Sequence, residues 1–215
     1  MRRDWWAPLT GVAFLVVLIV SFLVGGEPPD ASEPAQEIVD HYVDNKDSVQ
    51  IGAGLSTLAA LLLVFFAGVL RRVLRAAEGV GGTLSAVAFA GAVIMATGAA
   101  IDASIGYALA DRADDIEPAG VQALQALWEN DFFPVALGSS VLLLGAGLSI
   151  VRHGALPRWL GWVAIVLGVI GMTPIGFVGF LGGALWVLVV SVLLTLKMRA
   201  EPPPAAPAPA AGPMA

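Results

Sequence analysis

The sequence predicts an all-α integral membrane protein: a bundle of six transmembrane helices with both termini in the cytoplasm. Three observations lead to this prediction. Hydrophobic residues make up 58% of the 215-residue chain and charged residues only 13%, against about a quarter in soluble domains. Apolar runs of membrane-spanning length recur six times along the chain. Basic residues concentrate in every second segment between those runs, as expected for cytoplasmic loops.

Each predicted span follows from length and hydropathy. A helix rises about 1.5 Å per residue, so about 20 mostly apolar residues cross the hydrocarbon core. The spans are predicted at about 9–24, 49–70, 84–105, 132–151, 160–175 and 177–196. A tight turn separates the last two, because Pro174 has no amide N–H and disfavours helical geometry at Thr173. Residues 1–200 thus form the transmembrane domain, and the Pro/Ala-rich segment 201–215 a disordered cytoplasmic tail.

Charge sets the orientation. All but two of the 11 basic residues fall at the N-terminus, after spans two and four, or at the C-terminal end, which share one face in a six-span topology. The exceptions are Lys46 and Arg112. Acidic residues fill the two outer loops instead. The positive-inside rule therefore places both termini inside.

The N-terminus leaves a second interpretation open. Arg2 and Arg3, followed by an apolar stretch and Val24-Gly25-Gly26, resemble a signal peptide with a poor cleavage site. Cleavage would leave five spans and an outer N-terminus. The long apolar stretch and the lack of an A-x-A motif favour an uncleaved first span.

Short amphipathic helices are predicted in both acidic outer loops. In the first, Ile38, Tyr42 and Val49 recur at near-helical spacing. In the second, after Pro118, four residues form an apolar stripe: Val121, Leu124, Leu127 and Trp128. We expect both helices to lie on the membrane surface or cap the bundle, with a lid or partner-docking surface as the alternative.

Small residues predict helix packing. Span three is rich in Ala and Gly between residues 86 and 100, which lets helix backbones approach closely, so it is predicted to be the centre of the bundle. Gly179-x-x-x-Gly183 is a weak packing signal that leaves self-association open. Trp186 is predicted to pack against neighbouring helices.

Asp102, near the outer end of span three, is the most informative single residue. Carboxylates at membrane depth are rare and usually face the protein interior or water. The functional hypothesis is an intramembrane polar site at Asp102 with Thr97 and Tyr107. The simpler interpretation, which we favour on sequence alone, ends span three near Ile101 and places Asp102 among the headgroups.

The other candidate residues do not indicate a catalytic, cofactor or metal site. The chain has no cysteines, and His41 and His153 lie on opposite faces, so they cannot share a metal or haem. Asp131 is typical of a helix N-cap, with Pro134 in the first turn. No catalytic, cofactor or metal site is predicted, and nucleic-acid binding is unsupported.

A cytoplasmic interface is predicted from basic and aromatic residues. Arg71, Arg72 and Arg75 are placed at anionic lipid headgroups. The segment Leu156-Pro157-Arg158-Trp159-Leu160-Gly161-Trp162 is typical of a helix entry, with Arg158 in the headgroups and Trp159 and Trp162 at the interface.

This L-P-R-W-L-G-W segment resembles a motif in multi-pass membrane proteins of actinobacteria for which no function is established. The resemblance implies a six-helix bundle in a bacterial inner (plasma) membrane. It transfers no functional residue.

Three functions remain open. A non-enzymatic accessory or interaction subunit, with lipid and other membrane proteins as partners, ranks first, because no catalytic motif is present. A small transporter or channel, proton-coupled through Asp102, is the alternative, although no internal repeat supports it. A lipid-modifying enzyme using outer carboxylates ranks third.

Overall fold

The computed structural model describes residues 5–200, and this part of the chain is all-α. The predicted tail and the Arg2-Arg3 pair lie outside the described residues. A short 3-10 helix (Ala7–Leu9) precedes the first α-helix. The α-helices are α1 (Thr10–Gly25), α2 (Ala35–Asp44), α3 (Lys46–Glu78), α4 (Thr83–Arg112), α5 (Pro118–Glu129), α6 (Phe132–His153), α7 (Arg158–Ile170) and α8 (Gly176–Ala200).

Five helical segments of the described chain are long and apolar enough to cross a membrane. They contain α1, α3, α4, α6 and α8, so the chain has the character of a membrane protein. The predicted span 160–175 is too long, because α7 has 13 residues and ends at Ile170. At about 1.5 Å per residue this helix covers about 20 Å, less than the hydrocarbon thickness of about 30 Å.

The early end of α7 comes from local hydrogen bonding. The amides of Met172 and Thr173 donate to the carbonyls three residues before them, at Val169 and Ile170. These tighter turns lead into Pro174, which cannot continue a helix. The predicted turn is therefore present but begins at Gly171, two residues before Thr173.

Two helices extend well past their predicted spans. α3 runs from Lys46 to Glu78 and α4 continues to Arg112. The ends of these helices are polar, so hydropathy does not mark them as part of a span. Their backbone hydrogen bonds nevertheless continue beyond the apolar stretch. Asp102 is therefore a mid-helix residue, and the point along α4 at which the membrane span ends stays a prediction.

The bundle is centred on α6, not on the third span. α6 packs against α3, α4, α7 and α8, and 61% of its most apolar stretch is buried, against 39% for α4. The small residues of α4 do permit close approach: Gly91 lies against Gly138 and Val141 of α6. The prediction missed that α6 has small residues too, so it can be approached from several directions.

Glycines and Trp186 hold the last two helices in the bundle. Gly179 of α8 lies against Gly171, and Gly183 lies against Leu143 of α6. The Gly179-x-x-x-Gly183 pair is thus used within the chain. Trp186 is buried, as predicted, and its Nε1–H donates to the Leu160 carbonyl at 2.9 Å.

α2 and α5 pack together over one end of the bundle, which we call the cap end. Their apolar faces form a separate core with the adjoining ends of α3 and α4. Its fully buried members include Ile38, Tyr42, Leu109 and Val121. The predicted capping arrangement is confirmed, except that Leu127 is 54% exposed and Gln125 is buried in its place.

The two ends of the described chain meet at the opposite end of the bundle, which we call the basic end. The Ser191 hydroxyl donates to the carbonyl of Pro8. The guanidinium carbon of Arg199 lies 4.0 Å from the centroid of the Trp5 ring. Chain entry and exit therefore share one end of the bundle.

Candidate functional site

A cavity of about 190 Å³ lies between α1, α3, α4, α6 and α8 in the cap-side half of the bundle. We call it the deep cavity. Most of its wall is apolar, because each helix contributes Phe, Leu, Val, Met or Ala. The polar groups on its wall are Ser56, Asp102, Trp128 and Asp131.

A second cavity of about 160 Å³ lies nearer the cap, between α1, its following loop, α3 and α4. We call it the upper cavity. The two cavities share Phe22, Ser56, Asp102 and Trp128 in their walls. Asp102 and Trp128 therefore stand where the two spaces meet.

Asp102 is positioned by α4 and by the end of α5. Ala103 and Gly106 lie on the buried side of α4 beside it. A Cβ on Gly106 would lie 3.3 Å from Cζ2 of Trp128, so the absence of a side chain there lets the indole pack onto α4. Asp102 is partly buried and faces the cavities, not open solvent.

Asp131 occupies the predicted N-cap position of α6, but its side chain makes no capping hydrogen bond. An N-cap oxygen normally accepts from the amide of the second or third helical residue. The third residue here is Pro134, which has no N–H. The carboxyl of Asp131 instead lines the deep cavity beside Asp102.

Two polar atoms at this point have no hydrogen-bond partner among residues 5–200. They are the indole Nε1 of Trp128 and Oδ2 of Asp131, both with almost no accessible surface. Buried polar groups are rarely left unpaired, because each loses its water without compensation. With Asp102 they form the polar end of an otherwise apolar cavity.

The carboxyl pair has no basic partner within the described chain. The ion pairs found there join Lys46 to Asp111 at 3.3 Å, and Arg112 to Asp111 at 3.1 Å and to Asp115 at 3.2 Å. All of these groups are on the cap surface. A carboxylate in an apolar wall is costly unless it is paired, so Asp102 and Asp131 need a shared proton or a cation from outside the protein.

The structure does not bring Thr97 and Tyr107 to this site. The Thr97 hydroxyl is exposed and donates to the Val93 carbonyl at 2.9 Å. Tyr107 is 49% exposed. Of the three predicted residues only Asp102 lines the cavities, joined by Asp131 and Trp128. In the sequence, the only signal for Asp131 was the proline that follows it in the first helical turn, and the only signal for Trp128 was its place at the end of an amphipathic stripe.

The deep cavity is closed toward the basic end. Phe14, Leu63 and Met95 line it at mid-bundle, and the next space below is only about 10 Å³. Beyond it Phe66, Leu143 and Val190 are fully or nearly fully buried. Among residues 5–200 the cavity is therefore a blind pocket, with no continuous passage along the bundle.

The cap above the cavities is fixed by buried hydrogen bonds. The Tyr42 hydroxyl donates to Oε1 of Gln125 at 2.5 Å, and Nε2 of Gln125 donates to the Pro29 carbonyl at 2.7 Å. Burial raises the pKa of Tyr42 above its ordinary value of 10, with smaller contributions from the Glu129 and Asp102 carboxylates. The phenol is therefore neutral in the folded cap.

A second unpredicted carboxylate ties three helices together near the basic end. Ser149 of α6 donates to Oε1 of Glu78 at 2.6 Å, and Ser85 of α4 donates to Oε2 at 3.3 Å. Glu78 is the last residue of α3. At this helix end the carboxylate lies beside the two fully buried serines and accepts a hydrogen bond from each.

The predicted interface residues lie at the basic end. Arg72, Arg75 and Arg158 are exposed, and Trp159 and Trp162 are 56% and 58% exposed. The Arg71 guanidinium is partly buried, 5.4 Å from the centroid of the Phe89 ring. Headgroup contact by these residues stays a prediction.

Comparison with family models, curated proteins and solved structures finds no match to this chain. The site geometry therefore has to support any function by itself. Within residues 5–200, no three His, Cys, Asp or Glu side chains converge as metal ligands would.

Proposed function

We propose that this chain is a six-span protein of a bacterial plasma membrane, with both termini inside, that acts without catalysis as an accessory subunit holding a hydrophobic ligand in its deep cavity. The resemblance noted for the L-P-R-W-L-G-W segment is the reason for proposing a bacterial membrane. α7 is taken as the sixth crossing, although it is short. The positive-inside pattern gives the orientation.

Two observations support the topology. The chain ends meet at the basic end while α2 and α5 cover the other end, as an even number of crossings requires. Most described basic residues lie at the end where the termini meet.

The absence of cysteines makes the topology directly testable. Single cysteines at Ser32, in the acidic loop, and at Val80, in the turn between α3 and α4, are both at exposed positions. A membrane-impermeant maleimide applied to intact cells is expected to label Ser32→Cys and not Val80→Cys. Lysis should make both reactive. Labelling of both or of Val80→Cys alone in intact cells would contradict the topology.

The blind, apolar deep cavity is the observation that carries the binding function. Ligand sites are typically concave, mostly apolar and provided with a few polar groups that orient the ligand. A channel needs a continuous path instead, and the packing below Met95 closes this one.

The binding function is tested by filling the cavity. Ala99 lines the deep cavity, whereas Ala90 of the same helix is exposed on its surface. Protein extracted in native-lipid nanodiscs is analysed by mass spectrometry for bound small molecules. A co-purifying hydrophobic compound is expected with the wild type and with Ala90→Trp but not with Ala99→Trp. Equal recovery from both variants would refute the cavity as its site.

The carboxyl pair favours a second candidate, a small proton-coupled transporter. Two adjacent carboxyl groups without a basic partner are suited to exchange a proton. Flux across liposomes that is driven by a pH gradient and lost in Asp102→Asn would support it. The same pair also allows lipid modification, because two carboxyl groups held close can act as general acid and general base. A modified lipid formed by the purified protein would support that function.

A further inference from the structure

We infer that the ligand of the deep cavity is an amphiphile with a protonated amine headgroup, bound with its ammonium at Asp102 and Asp131 and its alkyl chain along the apolar wall. This inference rests on the proposed binding function and names the ligand class of that site. It explains why carboxyl groups stand at one end of an apolar pocket.

Charge selects the headgroup. Asp102 and Asp131 are adjacent, and neither joins an ion pair among residues 5–200. Two adjacent carboxyl groups that share one proton carry a single negative charge. One ammonium balances that charge, and its three N–H donors match carboxyl oxygens such as the unpaired Oδ2 of Asp131. An anionic headgroup would be repelled, and a neutral alcohol would leave the charge uncompensated.

Trp128 closes the headgroup position. Its indole lies in the walls of both cavities, next to Asp102. Aromatic faces attract ammonium groups, most strongly those of tryptophan. Its buried Nε1–H, beside Asp102, also offers a donor to a carboxyl oxygen.

The wall below the carboxyl pair fits an alkyl chain. Met95 lies seven residues before Asp102 on α4, so the wall extends about 10 Å along that helix. Phe14, Leu63 and Val135 line it on the other helices. Phe22 and Phe177 are 61% and 55% exposed and also line the cavity, so it opens toward the membrane between α1 and α8. An amphiphile can therefore enter from the acyl chains.

The test compares two photoreactive probes of equal length, octylamine and octanol, each with a terminal diazirine. Full-length protein in phosphatidylcholine nanodiscs is irradiated at pH 7, and the labelled residues are mapped by peptide mass spectrometry. The amine is expected to label the deep-cavity wall at least ten-fold more than the alcohol does. Excess unlabelled octylamine should compete with it.

Variants separate the headgroup from the cavity. Asp102→Asn and Asp131→Asn are each expected to lower cavity labelling by the amine at least ten-fold, to the level of the alcohol. Asp114→Asn, an exposed carboxylate on the cap side, is the matched control and should match the wild type. Size-exclusion profiles identical to that of the wild type show that each variant is folded.

The outcomes distinguish the two proposals. Equal cavity labelling by amine and alcohol, unaffected by Asp102→Asn, would overturn the amine inference while the binding function stands. Labelling of lipid-facing residues alone, unchanged in Ala99→Trp, would overturn both. Amine labelling that persists in both asparagine variants would also overturn the inference.

Discussion

The contact between α4 and α6 gives the sharpest stability prediction. A Cβ on Gly91 would lie 2.7 Å from the Val141 carbonyl carbon and 2.8 Å from the Gly138 carbonyl oxygen. Non-bonded carbon atoms prefer about 3.5–4.0 Å, so Gly91→Ala forces the helices apart by about 1 Å. The obstacle is backbone, which cannot rotate away. Overpacking of this kind costs about 1–3 kcal/mol.

The assay is thermal unfolding in a mild detergent, followed by loss of the monodisperse size-exclusion peak. For soluble chains of this size about 1 kcal/mol moves the melting temperature by about 2–4 °C, so Gly91→Ala is expected to lower it by about 2–12 °C. Gly68→Ala on α3 is the control, because its Cβ meets no atom within 4 Å. It should not destabilise the protein, since Ala favours a helix over Gly.

The reciprocal change gives an internal check. A Cβ on Gly138 would lie 2.6 Å from Cα of Met95 and 2.7 Å from the Gly91 carbonyl oxygen. Because both alanines widen the same gap, Gly91→Ala with Gly138→Ala should cost less than the sum of the single changes. Equal melting temperatures for Gly91→Ala and Gly68→Ala would refute the close approach of α4 and α6.

Three further predictions concern the cap, the basic end and the carboxyl pair. The unfolded Tyr42 phenol ionises near its ordinary pKa of 10, whereas the buried phenol has a raised pKa and stays neutral. The melting temperature should therefore fall as pH rises above 10, and Tyr42→Phe should make this fall shallower. Ser149→Ala removes a donor to Glu78 and should cost about 1–3 kcal/mol, measured by the same melt; an unchanged melting temperature would count against this contact. Pro134→Ala restores an amide that Asp131 can cap, so cavity labelling by the amine probe should fall while thermal stability holds or rises; undiminished labelling would contradict the role given to the proline.

The candidate site could be predicted only in part. Asp102 stood out because a carboxylate in a small-residue span is rare. Nothing in the spacing linked it to Asp131, which is 29 positions later and matched an ordinary N-cap. The competing rule, that N-cap side chains bond their own helix, did not hold here: Asp131 makes no such bond, and Pro134 removes one of the two amides that could have donated it.

The sequence alone determined the features that depend on solvent preference along the chain. Hydropathy located the apolar segments. The helical spacing of Ile38 and Tyr42 in the first outer loop, and of Val121 and Leu124 in the second, located the cap, because each of those helices separates an apolar face from water. Proline chemistry located the turn before α8. Each of these signals is local.

Only the tertiary structure decided which helix is central and which polar groups meet. In a bilayer both sides of a span are apolar, so hydropathy cannot tell the lipid-facing side from the packed side. Gly91 therefore gave no indication of its partner on α6, and Thr97 and Tyr107 could not be separated from Asp102. Helix orientation in the membrane is set by shape and close packing between distant segments, and those contacts exist only once the bundle is assembled.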